Sequence, residues 1–227
     1  MTDFSLSPET TPGRVVLAVP DLDRSLDFYQ NVLGFRLHHQ EGQVATLGAG
    51  QADLLELQAD PSFRRLKGTT GLYHFAILVP TRRDLAFVLR RIAETETPVS
   101  GFADHLVSEA IYLPDPDGNG IEIYCDRPSD TWRGPNGNLR MGTEPLDLGD
   151  LLAEVTGENP SWDGLPTGTR LGHVNLHVAD LEAAIDFYRE ALGLDLVMRY
   201  GPGAAFLSAG GYHHHVGINT WNGEGAP

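Results

Sequence analysis

The chain repeats itself, and that repeat limits its fold more than any other feature. Val15 to Leu22, followed by Leu26-Asp27-Phe28-Tyr29 and Leu33-Gly34, returns without a gap as Val174 to Leu181, followed by Ile185-Asp186-Phe187-Tyr188 and Leu192-Gly193. The offset is 159 residues throughout. A match kept at strand, cap, helix and helix end marks a duplicated folding unit rather than shared composition. Duplicates can be compared position by position. At the head of the first strand, one copy has Arg14 where the other has His173.

Each unit has a readable order. Val15, Leu17 and Val19 alternate as in a half-buried strand. Asp21 is placed to cap a helix whose Leu22, Leu26, Tyr29 and Leu33 share a face, and Gly34 to end it. Short apolar runs at 35–37, 44–47 and 54–57 complete the order βαβββ. A more distant copy starts at Tyr73, with a strand from His74 to Pro80 and a helix from Arg83 to Ala93. Its closing strands, 110–113 and 120–124, are joined by an Asp/Pro/Gly turn. The third copy runs from Leu171 to about Trp221. The predicted fold class is α+β, built of βαβββ modules that pair into cup-shaped half-barrels. The N-terminal domain is 12–126, with units at 12–60 and 71–126. A Gly/Pro/Asp-rich connector at 127–170 holds one amphipathic stretch, 146–155, and a partial C-terminal domain is 171–227.

A lone βαβββ unit has an open sheet edge and half a core. The third unit is therefore expected to need a partner, either a fourth unit missing from the chain or another subunit. The expectation is a homo-oligomer with the third unit at its interface.

Charge narrows the partners. Sixteen basic against thirty-one acidic residues give −15 at neutral pH, a surface that repels phosphate backbones and anionic lipid. No apolar run approaches the ~20 residues of a bilayer span. Neither nucleic acid nor a membrane is expected as a partner. Residues 1–11 lack the basic start and apolar stretch of a signal peptide, and the single cysteine, Cys125, excludes an internal disulfide. A cytoplasmic location is the expectation. Cys125 is read as a buried apolar group rather than a nucleophile.

The repeat, the Val-x-Asp-Leu corner and the ending Asp115-Pro116-Asp117-Gly118-Asn119-Gly120-Ile121-Glu122 resemble the vicinal oxygen chelate superfamily of glyoxalases, bleomycin resistance proteins and extradiol dioxygenases. Gly71-Leu72-Tyr73-His74, the stretch from Asp104 to Ala110 and Tyr212-His213-His214-His215 are most similar to its two-domain catechol 2,3-dioxygenase-like branch. The resemblance implies a divalent metal, Fe(II) first with Mn, Zn or Ni as alternatives, and a small aromatic diol and O2 as substrates. It also admits a glyoxalase-type lyase or transferase, or a ligand-binding protein with no catalysis.

Strand parity selects the side chains that face the cup. Phe75, Ile77 and Val79 face the helix, so His74 points the other way; Glu122 and Tyr124 alternate with Ile121 and Ile123. His173 alternates with Val174. Val216 and Ile218 put His215 on the cup side. In the superfamily one module supplies a first-strand ligand, and its partner a first-strand ligand and a last-strand glutamate. This implies the metal set His74, Glu122 and His173, with His215 as the acid–base group and Tyr124 as a second hydrogen-bond donor. The set is complete only if the second unit pairs with the third. If the first pairs with the second, Glu56 joins His74 and Glu122, and Arg14 leaves the set one ligand short, because a guanidinium does not bind metal. Sequence leaves both pairings open. His38, His39 and His177 are read as structural or surface histidines.

Overall fold

The computed structural model describes residues 4–158 and 162–227; the first three residues of the polar N-terminus and 159–161 of the connector lie outside it. The first unit comprises β1 (Val15–Val19), α1 (Leu22–Asp27), β2 (Arg36–Glu41), β3 (Val44–Ala49) and β4 (Ala52–Ala59). The second comprises β5 (Gly71–Leu78), α2 (Arg82–Glu94), β6 (Gly101–Asp104), β7 (Ser108–Pro114) and β8 (Gly120–Asp126). The connector carries α3 (Leu148–Ala153). The third unit comprises β9 (Arg170–His177), α4 (Leu181–Asp186), β10 (Asp195–Tyr200), β11 (Ala204–Ser208) and β12 (Val216–Asn219).

Local chemistry accounts for the helix starts. Asp21, Thr81 and Asp180 each cap a helix by accepting from the backbone N–H three residues on. The duplicated helices share an irregularity: α1 continues through Phe28–Val32 and α4 through Phe187–Ala191 in wider turns, the Leu33 N–H reaching the Phe28 carbonyl. β6 is the element the apolar pattern missed; Gly101-Phe102-Ala103-Asp104 is too short to show alternation.

Pairing is the main finding. One sheet has the order β1-β4-β3-β2, and the other β10-β11-β12-β9-β5-β8-β7-β6. The second and third units therefore join within one chain, through antiparallel β5 and β9. The third unit thus finds its partner unit within the chain, where a missing fourth unit or another subunit was expected to supply it. Its edge is closed by β5, and the free first-strand edge belongs to β1. The first unit is attached by its helix side. Leu22, Tyr29 and Leu33 share a core with Leu85, Val88, Leu89, Phe75 and Ile77 of the second unit, while the third keeps a smaller core around Ile185, Leu207 and Ile218.

Phe75 is fully buried at the join, opposite Val174. Phe75→Ala is expected to cost about 3–5 kcal/mol, as large-to-small changes in packed cores do. Urea denaturation measures it, and a loss below about 1 kcal/mol would show that the join is not close-packed.

Candidate metal centre

Register brings three candidate ligands together. β9, β5 and β8 are neighbours, and Ala76 of β5 stands opposite both His173 and Glu122. The alanine methyl leaves the space above β5 free, so the imidazole and the carboxylate reach over it toward each other. His74 lies two residues back on the same face of β5. The Nε2 atoms of His74 and His173 are each 3.1 Å from Glu122 Oε2 and 3.2 Å from one another. All three residues are buried.

The spacing fits one small cation. Three ligand atoms on one face of an octahedron with bonds of ~2.0–2.2 Å stand ~3 Å apart. A single shared hydrogen cannot satisfy two imidazole nitrogens and a carboxylate oxygen at these distances, whereas a cation at their centre satisfies all three lone pairs. His173 Nδ1 is buried without a hydrogen-bond partner among the described residues, so the hydrogen-bonding neighbours of this ring lie at Nε2. Burial pulls the His173 imidazole down to about 4, leaving it neutral and ready to ligate at neutral pH. Burial opposes charge on Glu122, but the His173 and His74 rings beside it hold its carboxyl well below the usual range. Among the described residues this is the one group of three or more such side chains with metal-ligand spacing.

The ligands open onto a cavity of about 1350 Å³, walled by Tyr112, His105, Phe206 and His214. Three sequence-based placements are corrected here. His215 does not face the cup: its Nδ1 accepts from the Ala209 N–H and its ring stacks on Tyr212. His214 holds the cup position, with its ring centroid 4.1 Å from that of His173. The parity argument failed because residues 213–215 precede β12 in a loop, where strand alternation does not apply. Tyr124 is on the cup side, but its ring passes behind His173 and its hydroxyl meets that of Tyr212 at 2.7 Å. Gly172 makes that path possible, since a Cβ there would lie 1.6 Å from the Tyr124 oxygen. Glu56 is outside the group and pairs with Arg14 at 3.1 Å in the first unit. Cys125 is buried on the helix side, where burial pushes its thiol up to about 12, so it is no nucleophile.

Two residues escaped the sequence reading. Tyr112 alternates with Ile111 and Leu113 and could have been found by parity; its hydroxyl is 2.7 Å from His105 Nε2. Burial, and Glu122 on the neighbouring strand, keep that phenol protonated far beyond its ordinary range. His105 lies just outside strand structure, where no periodicity points to it. Its Nδ1 donates to the Gly142 carbonyl, so Nε2 is the acceptor for Tyr112.

The depressed His173 pKa gives a pH dependence. The unfolded chain takes up a proton near 6.5 and the folded site only near 4, so the metal-free fold loses stability as pH falls through that window. Denaturant titrations from neutrality downward should show the loss, and it should shrink in His173→Asn. Stability that rises as pH falls toward 4 would contradict the buried neutral imidazole.

The chain resembles known proteins over most of its length. The family model described as Glyoxalase/Bleomycin resistance protein/Dioxygenase superfamily matches residues 11–123 and 170–220. A Bacillus subtilis (strain 168) protein named catechol-2,3-dioxygenase is 47% identical over 228 residues, covering 98% of this chain and 79% of that protein. A lactoylglutathione lyase of Neisseria meningitidis is 28% identical over 51% of the chain and 90% of its own length. Two solved structures share the fold at low identity. One, a Bacillus subtilis protein assigned to the dioxygenases, has a TM-score of 0.61 at 16% identity over 92% of this chain; the other, glyoxalase I from Zea mays, has 0.57 at 20% over the same share. The chain spans 63% and 66% of those two structures. With matches covering both halves of the repeat, the chain belongs to the glyoxalase/bleomycin resistance protein/dioxygenase superfamily.

Proposed function

We propose that the cup between the second and third units is the active site of an extradiol-type ring-cleaving dioxygenase acting on catechol-like aromatic diols. The carrying observation is the convergence of His74, Glu122 and His173 on one face of a site whose other side is open cavity. Two imidazoles and one carboxylate with open positions suit a non-haem ferrous centre. The 47% identical relative named catechol-2,3-dioxygenase supports the same reaction class. These three residues would hold Fe(II), which would supply a Lewis acid for the diol oxygens and an electron source toward O2.

The protein's own contribution starts with His214. Asp126 Oδ1 lies 2.9 Å from His213 Nε2, and His213 Nδ1 lies 2.8 Å from His214 Nδ1. The carboxylate takes the His213 Nε2 hydrogen, so His213 Nδ1 accepts, and the hydrogen of His214 sits on its Nδ1. His214 Nε2 is then an unprotonated base on a residue that lines the cavity. Burial lowers the His214 pKa well below the ordinary value, which keeps that base free. In this reading His214 takes a proton from the diol and later returns one. Across the cavity, Tyr112 and His105 form a polar wall that orients the ring. The buried ligand set and aromatic walls limit water at the reacting centre.

The purified chain is expected to retain stoichiometric iron, and to form a yellow ring-cleavage product from catechol only when O2 is present. Glu122→Ala and His173→Ala should lose the metal, read by metal analysis. His214→Gln should keep iron and lose about 10²–10⁴ in kcat, the usual weight of a positioned acid–base group. His215→Gln should stay within a few-fold of the parent. Iron-loaded protein that consumes no O2 with catechol would overturn the proposal. Anaerobic turnover with Zn, Ni or Mn would move the site to a glyoxalase-type lyase.

A further inference from the structure

We propose that the segment joining β4 to β5 reads a negative charge on the substrate, so that the preferred diols carry a carboxylate on a ring substituent. This rests on the diol-cleaving reading and narrows its substrate class. Residues 63–70 line the same cavity as the ligands and carry Arg64, Arg65 and Lys67 within four positions. Such clustering stands out in a chain with 16 basic and 31 acidic residues.

The three cations differ in what holds them. Arg64 donates from Nη1 to the carbonyls of Pro61 and Phe63 and so braces the segment itself. Arg65 and Lys67 have no hydrogen-bond or ion-pair partner among the described residues. Several other guanidinium groups are paired, Arg24 with Asp117, Arg82 with Glu109, Arg127 with Asp104 and Arg199 with Glu182, so what sets Arg65 and Lys67 apart from unpaired cations such as Arg36 and Arg189 is their place in the cavity wall. Two carboxylates line the same cavity, and neither is bonded to Arg65 or Lys67. Asp117 is held by Arg24, and Glu122 faces the two imidazoles.

Position connects this charge to the reacting end. Arg65 Nη1 lies 2.7 Å from where a Cβ on Gly118 would be, so the guanidinium crosses the β7–β8 turn at a residue with no side chain. Gly118, at φ +82°, is two residues from Gly120, the register partner of His74. The Arg65 charge therefore lies at the turn that leads into the strand paired with His74. The cavity of about 1350 Å³ exceeds the ~300–1,000 Å³ of ordinary small-molecule sites and leaves room beyond an unsubstituted ring. A cleft with low-dielectric walls concentrates the field of unpaired charges at its mouth, and an acidic exterior does not cancel it within a Debye length.

The test compares 3-(2,3-dihydroxyphenyl)propionate with its methyl ester, which differs chiefly in charge. The wild-type holoenzyme should favour the acid by about tenfold in kcat/KM, the sum of two partly exposed ion contacts, with the ratio falling as salt rises. Arg65→Gln with Lys67→Gln should bring the ratio near one, and Arg65→Lys with Lys67→Arg should restore it. Calorimetry on the metal-free chain should show 3-phenylpropionate binding more tightly than 3-phenylpropanol, with the difference lost in the double glutamine variant. A wild-type ratio near one, or a preference that survives removal of both charges, overturns the proposal. If neither diol is cleaved, the diol-cleaving reading has failed, and the calorimetric pair alone decides whether the segment recognises carboxylates.

Discussion

The site depends on the antiparallel contact between β5 and β9. Each unit alone is a four-stranded sheet with an open first-strand edge, and this contact turns two of them into one eight-stranded cup. It sets β9 and β8 on either side of β5, about 4.8 Å away in each direction. His173 and Glu122 thus start roughly two strand spacings apart and meet only because Ala76 between them is small. A longer side chain at 76 would occupy the ligand position itself. The register carries the same weight: a slip of one residue on β9 would turn His173 to the helix side and put Val174 in the cup.

A second layer sits behind these ligands. Tyr124 packs under His173, and its hydroxyl meets that of Tyr212, which bonds Asp126. Asp126 also takes His213, whose ring lies against Trp132 of the connector, with ring centroids 5.1 Å apart. The buried polar atoms of this layer are mutually satisfied, which fixes rotamers and tautomers rather than adding much net stability. Its members come from the second unit, the connector and the third unit. The connector is thus part of the wall that holds the histidines in place, rather than a loose tether.

Strand residues were readable from sequence because alternation is a property of the chain alone. Phe75, Ile77 and Val79 against His74, and Ile121 and Ile123 against Glu122, assign faces without knowledge of the partner strand. Two other kinds of information were out of reach. Which first strands pair is decided by contacts remote in sequence, so the ligand set stayed divided between Glu56 and His173 until the β5–β9 register was in view. Side chains in loops have no period. His214 and His215 are adjacent, and only the turn before β12 decides which of them meets His173. His105 depends in the same way on the Gly142 carbonyl, 37 residues away.

The first unit shows what the duplicated frame does without a ligand. Arg14 holds the position of His173, and its half-exposed guanidinium engages the largely covered Glu56 carboxylate. Val16 is half exposed on that strand, and β1 ends the sheet. Its work lies on the opposite face. Tyr29 is buried and donates its hydroxyl to Asp115, which also accepts from the backbone of Asp117 and Asn119. Arg24 reaches Asp117 in the same turn. That turn leads directly into Gly120 and Glu122, so the first unit clamps the start of the strand that presents the carboxylate. A copy without that histidine can still be required for the site, because its helix face is the one that fixes where the strand of Glu122 begins.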